Sequence, residues 1–399
     1  MIKRILSIII VFSSNLFSYT YLGYDNFGDD VEGISARAIS MGGTSISNSQ
    51  ISESIFYNPA NTVWAEKKEV GFGFSLFLPG ERVIPDNDWS SETGGGYYNF
   101  QNIFQFDYFS FVYPKDNISF SIGYFPLYDL NYKNGVDIYT NSNLVGRWEL
   151  KSKGNIYAYV PSLSFRIKDY FSFGFGYLIG DGKANFDERT VSYSTNTVIQ
   201  TVNASGKFSG NTFNFSVMYR RENYSISFVY RDKIKTKFNA KSGGSTYESE
   251  FIYPTIYGVG FSYTYSGINE ATFSVEVIRK SWSDSKYKLI KINETQYNIE
   301  SNPNYPDVTE VHIGVEHFVG EILLRYGIEF IPTYFSKAYQ RVDFAFGTGF
   351  NIFENFGIDV GFLYGKMNYI GEYEFATTEY DWRTDLIFRR LILSCIWRF

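Results

Sequence analysis

Residues Gly33 to Glu66 read G-I-S-A-R-A-I-S-M-G-G-T-S-I-S-N-S-Q-I-S-E-S-I-F-Y-N-P-A-N-T-V-W-A-E. The stretch is small, polar and without alternation. Everything after Lys68 instead carries aromatic and aliphatic residues at every second position, the period of a strand with one apolar and one polar face. A compact plug inside a strand-built container accounts for both halves. The fold expected is therefore all-β: a transmembrane antiparallel β-barrel of about 14 strands with an N-terminal hatch inside its lumen.

The composition agrees with this reading. The chain has 39 Phe, 35 Tyr and 35 Gly but only 4 Met in 399 residues, which favours strands over helices. A net charge of −6 and the absence of a basic stripe exclude nucleic acid as a partner. Cys395 is the single cysteine, so neither an internal disulfide nor a cysteine-based metal site can form, and no cofactor is expected. Lys3 and Arg4 precede the apolar run Ile5 to Phe12, with the small Ser18 where a signal peptidase could cut, so residues 1–18 are expected to be a secretory signal. The run falls short of the roughly 20 residues of a spanning helix. The hatch would then be 19–68 and the barrel 69–399.

Within the hatch, Ala36 to Met41 can form a helical turn ended by Gly42 and Gly43. Asn58, Pro59 and Ala60 open a second element: Asn is a good N-cap and Pro suits the first helical position, so a short helix from Pro59 to about Glu66 is expected.

In the wall, Phe171, Phe173, Phe175 and Tyr177 alternate with Ser172, Gly174 and Gly176, and Phe356, Ile358, Val360, Phe362 and Tyr364 repeat the pattern. Such segments number about 14, near 69–78, 102–113, 117–125, 155–167, 171–180, 206–219, 224–239, 250–265, 271–282, 309–318, 321–331, 341–351, 355–367 and 387–399. Their Tyr and Phe suit girdles at a bilayer interface. Short connections such as Lys168 to Tyr170 alternate with long polar ones such as Asp181 to Ser205, as periplasmic turns and extracellular loops do. The chain ends at Phe399, the aromatic terminus typical of barrels handled by the outer-membrane insertion machinery.

The order signal, A-R-A-I-S-M-G-G (Ala36 to Gly43), I-F-Y-N-P-A (Ile55 to Ala60), then a Gly/Phe strand resembles the long-chain fatty-acid transporter (FadL-type) family of outer-membrane proteins. The resemblance implies a hatch carrying the Asn58-Pro59-Ala60 motif inside a 14-stranded barrel. It also implies a kink in the third strand, through which a hydrophobic ligand leaves sideways into the bilayer. Gly123 and Pro126 are the candidates for that opening, since proline lacks a ladder donor and glycine weakens a strand; a plain strand end is the other reading. Asn61 departs from the family pattern, which has Gly there.

Strand parity turns Gln105, Asp107, Arg166, Arg231, Glu276, Glu316, Arg325, Glu329 and Asp359 inward. They could bind the hatch to the wall, or Arg231 or Arg325 could meet the head group of an anionic ligand. In the second strand the alternation falters after Asp107. Either a β-bulge shifts the register, or Phe109 and Phe111 form a lumenal patch for an acyl chain. His312 and His317 have opposite parity, which argues against catalysis. The function expected is outer-membrane passage of hydrophobic small molecules, with movement of the hatch triggered by ligand and with outer-membrane lipids as surroundings. The alternative is a non-transporting barrel that anchors or receives secreted proteins, favoured by the short polar loop near Ala240 to Ser249.

Overall fold

The computed structural model describes residues 28–399 apart from 32, 49, 86–96, 141–142, 268–269 and 376–377. The expected signal at 1–18, and residues 19–27 of the expected hatch, lie outside the described residues. The chain begins with a two-residue strand, β1 (Asp29–Asp30), followed by helices α1 (Ala36–Ser40) and α2 (Ile51–Tyr57) and a 3₁₀ helix at Pro59–Trp64.

Fourteen antiparallel staves form the wall, each made of one strand or of two in succession. The first three are β2 (Glu69–Phe77) with β3 (Gly80–Pro85), β4 (Tyr97–Phe100) with β5 (Ile103–Lys115), and β6 (Ile118–Asp129) with β7 (Tyr132–Thr140). Three long strands follow: β8 (Asn143–Ile167), β9 (Phe171–Ser192) and β10 (Thr197–Arg220). Next come β11 (Tyr224–Arg231) with β12 (Lys235–Ser242), and β13 (Ser245–Ile252) with β14 (Ile256–Tyr265). Then follow β15 (Ala271–Lys280) with β16 (Lys286–Ile292), and β17 (Thr295–Ser301) with β18 (Val308–Val319). The last four are β19 (Ile322–Pro332), β20 (Gln340–Phe353), β21 (Phe356–Phe375) and β22 (Thr378–Arg398). β22 closes the barrel on β2, from Glu69 opposite Arg398 to Phe77 opposite Arg390.

Period two sets the two faces of this wall. Phe175, Tyr177, Phe261 and Tyr263 stand exposed outside, while Ser172, Ser216, Ser227 and Ser274 are buried inside. An outward aromatic belt over a polar interior is the pattern of a membrane barrel.

The long connections expected between strands are largely strands themselves. β9 continues to Ser192 and β10 starts at Thr197, so residues read as a loop form a hairpin turning at 193–196. Here Lys183, Asn185, Asp187 and Arg189 face outward and Ala184 and Phe186 inward. Ladder pairing persists although the greasy outer face has ended, which is why an apolar pattern search stops at about residue 180. The hairpin of β12 and β13 likewise replaces the loop at Ala240 to Ser249, turning on Gly243 and Gly244, both at positive φ.

The second strand carries the bulge. Gly73 faces Tyr108 while Phe74 faces Phe106, leaving Asp107 as the extra residue. Asp107 and Tyr108 are both buried, and the parity of everything after them reverses.

Candidate functional site

The hatch segment from Ile34 to Val63 is buried almost throughout, and its backbone is held by side chains of the wall. Ser35 caps α1 by accepting from Ala38 N, and Gly42 and Gly43 end it at φ +62° and +74°. The loop after it then meets Glu276, whose carboxylate accepts from Ser45 N at 2.8 Å, Ile46 N at 2.7 Å and Ser47 N at 2.9 Å. Three successive amides converging on one carboxylate form an anion-binding nest built by the chain against itself. His312 Nδ1 lies 3.0 Å from Gly42 O, and since a carbonyl only accepts, that nitrogen carries the proton.

Charged groups lock the other side. Arg37 of α1 forks onto Glu316, which also accepts from Arg325, and Arg325 in turn donates to Asp359. Gln50 Nε2 reaches the same Asp359 at 2.9 Å. Glu53 of α2 accepts from Gln50 N and from Ser35 Oγ, and its burial pushes the carboxyl from its ordinary 4.5 up to about 7. Close approach is permitted by glycines: a Cβ on Gly314 or Gly327 would overlap the Met41–Gly42 backbone, and one on Gly174 would overlap Pro59–Ala60.

Above this seat lies a small apolar chamber of about 90 Å³ between hatch and wall. Ile46, Phe56 and Tyr57 of the hatch face Leu127, Val229, Ile256 and Ile278 across it. Two cations border it. Lys280 is neutralised by Asp30 at 2.9 Å and Glu310 at 2.7 Å. The Arg231 guanidinium lies 4.9 Å over the Phe56 ring and has no carboxylate at ion-pair distance among the described residues. A second, polar vestibule of about 470 Å³ opens on the short-turn rim, lined by Trp64, Glu66, Arg220 and Arg398 among others.

Beside the chamber the wall is incomplete. The β5–β6 ladder runs from Lys115 opposite Ile118 only to Phe109 opposite Tyr124. Beyond that, β6 parts from β5 but stays paired with β8 as far as Asp129 opposite Asn155, and Phe125, Leu127, Tyr128 and Asp129 are all buried, with no alternation left. β1 occupies the vacated edge, Asp29 opposite Asp129 and Asp30 opposite Tyr128. From outside, Tyr124 stacks on Tyr157 with ring centres at 4.8 Å, and the Tyr157 hydroxyl donates to Phe106 O at 3.3 Å.

No family model and no curated protein matches the sequence. Solved structures do. A Pseudomonas aeruginosa FadL homologue superposes with a TM-score of 0.68 at 12% identity, covering 93% of this chain and 100% of that one. The chain has a FadL-type fold. The Pseudomonas putida toluene transporter TodX gives a TM-score of 0.68 at 15% identity over 93% of this chain and 99% of its own. The Ralstonia pickettii toluene transporter TbuX gives 0.60 at 14% identity, over 92% and 99%.

Within the FadL-type fold the expected site residues separate. Asn58 is not a side-chain cap: its amide donates to Ile46 O at 2.6 Å and to Ser227 Oγ at 3.2 Å, tying two hatch segments to β11. Pro59 does start a helical element, but it is a 3₁₀ turn ending at Trp64, and Ala60 N donates to Ser216 Oγ at 2.8 Å. Phe109 and Phe111 do not line the lumen. The bulge turns them outward, opposite Phe72 and Val70. Arg325 is paired with Glu316 and Asp359 and does not line the chamber. Arg231 does border the chamber. Gly123 lies inside the intact ladder opposite Ser110, whereas Pro126 lies just beyond its end, at a register shift against β8. The sequence reading missed Phe56, Leu127 and the helix α2, whose N-cap is Gln50, a residue outside the usual capping set, so that only the bond from Gln50 N to the Glu53 carboxylate marks the start of the helix.

Proposed function

We propose that this chain is a bacterial outer-membrane barrel, delivered by a signal in residues 1–18 and inserted by the machinery that reads its aromatic terminus. It passes hydrophobic small molecules, fatty-acid-like or aromatic, around a hatch formed by residues 19–68. The observation that carries this reading is the apolar chamber with one uncommitted guanidinium, Arg231, placed directly beside the interrupted β5–β6 ladder. Apolar burial supplies about 0.8 kcal/mol per methylene, and Arg231 adds a charge-assisted bond where the cargo is an acid.

At about 90 Å³ the chamber is smaller than the cavities of roughly 150 Å³ that take up benzene. Cargo therefore enters only if Phe56, Tyr57 or β1 shifts, and withdrawal of β1 from β6 joins the chamber to the gap in the wall. The named functions of TodX and TbuX, toluene transport, lie in the same chemical class. Enzymatic turnover finds little support: His312 is tied to the hatch backbone and His317 hydrogen-bonds Tyr326 on the outer face.

The test is to purify the full chain in mild detergent, extract it, and identify retained compounds by mass spectrometry. One acyl or aromatic compound per chain, with carboxylated cargo lost in Arg231→Leu, is the expected result. A barrel that is empty in repeated preparations and co-purifies with a secreted protein would replace transport by the anchoring role.

A further inference from the structure

Four lysines stand without counter-charge on the outer face of the tallest part of the wall. On β9 the outward residues Phe171, Phe173, Phe175, Tyr177 and Ile179 form an apolar run of the length with which a tilted strand crosses a hydrocarbon core. Asp181 and Lys183 are the next outward positions. Lys183 is directly opposite Lys207 of β10. One row further from the belt, Lys153 of β8 faces Asn185, and Lys241 of β12 faces Ser205. All four side chains are exposed.

Like charges directly opposite one another weaken an antiparallel pair. None of the four lysines has a carboxylate at ion-pair distance among the described residues. The outward carboxylates of these strands face other partners: Asp181 is opposite Tyr157 and Ser209, Asp187 opposite Lys151 and Asn203, and Glu248 opposite Asn239. Between and beside the lysines lie neutral, exposed hydrogen-bonding side chains, Asn185, Ser205 and Asn239.

Exposed lysines alone describe a solvated surface; their height says more. Lys183 is four residues past Ile179, which places it about 10 Å beyond the apolar belt for a strand rising about 3.3 Å per residue at a tilt near 40°. That is the level of outer-leaflet head groups, and the patch is continuous with the lipid-facing belt below it. We infer that these lysines bind the phosphorylated sugar head group of an outer-leaflet glycolipid, with the amides and hydroxyls between them meeting sugar hydroxyls. The inference rests on the outer-membrane location proposed above and is independent of transport.

The test uses the full chain in phosphatidylcholine nanodiscs containing a bisphosphorylated, acylated diglucosamine, read by native mass spectrometry. Retention of that lipid is expected, with about thirtyfold weaker retention in K183Q/K207Q, two charges each acting as a lysine at an anionic membrane surface does. The dephosphorylated lipid should bind no better than background, and added salt should weaken the phosphorylated one. Retention unchanged in the double variant, or displacement by equimolar inorganic phosphate, would overturn the assignment. A second readout is melting temperature. K207S should raise it in plain phosphatidylcholine, where only repulsion is removed, and lower it when the glycolipid is present; the same shift in both discs also sinks the proposal. Cell fractionation tests the location separately, since a chain absent from the outer membrane would fail there while the disc result still reports on the patch.

Discussion

Arg37 of the hatch and Glu316 of the wall meet as a buried fork, Nη2 to Oε1 at 3.0 Å and Nε to Oε2 at 3.1 Å. The pair joins segments far apart in sequence, and Arg325 and Asp359 extend it along the wall. Removing one partner leaves a buried charge uncompensated, which costs about 3–5 kcal/mol. Arg37→Met is therefore expected to loosen the hatch while the barrel stays closed. Limited proteolysis within 33–66, with the barrel's heat-modifiable gel mobility unchanged, is the outcome to look for. A hatch as resistant as the parent's would remove the pair from any role in seating it.

The glycine contacts make a sharper prediction. Gly327→Val places a side chain where the Met41–Gly42 backbone now lies. Gly327 is paired with both Gly314 and Ala345, so the ladder itself loses nothing. The variant should insert normally and show raised single-channel conductance as the plug is displaced. Closed channels indistinguishable from the parent's would contradict the close packing.

Glu53 links the seat to pH. Its carboxyl is raised by burial from 4.5 to about 7, so the docked hatch holds a proton that the undocked segment has released. The stabilisation is fully present below about pH 4.5 and is lost as pH rises through about 7. Hydrogen exchange in α1 and α2 should accelerate across that interval, and Glu53→Gln should flatten the dependence. Slower exchange at higher pH, after correction for the intrinsic rate, would reverse the sign.

Phe109→Ser with Phe111→Ser should leave cargo retention unchanged, because both rings face outward. Assembly should suffer instead, by about 2 kcal/mol for each ring withdrawn from the lipid belt. Phe56→Ser, which alters the chamber itself, should abolish retention. The opposite ordering, measured by mass spectrometry of extracted barrels, would return the aromatic site to β5.

Alternation in β9, β21 and their neighbours made the barrel and its fourteen staves legible, because one apolar face is a physical requirement of the belt. The upper wall was not legible for the same reason: Lys183 to Arg189 pair as regularly as Phe171 to Ile179, yet no solvent of low polarity forces their outer face to be greasy. The bulge at Asp107 could be suspected from faltering parity, but the sequence does not say which side of it keeps the phase. For the site, Arg231 followed from parity, whereas Phe56 sits in a helix whose role depends on how the hatch is rotated against β6. Glycines such as Gly314 and Gly327 read as ordinary polar-face positions. Only the backbone lying on them shows that they are sockets.

The staves are also unequal in length. β10 spans 24 residues and β19 only 11. At about 3.3 Å per residue and a tilt near 40°, one side of the mouth rises about 30 Å above the other. The opening is thus a high parapet facing a low sill at β19 and β20. A compound moving along a membrane at head-group level would meet the wall at the sill before it met it at the parapet.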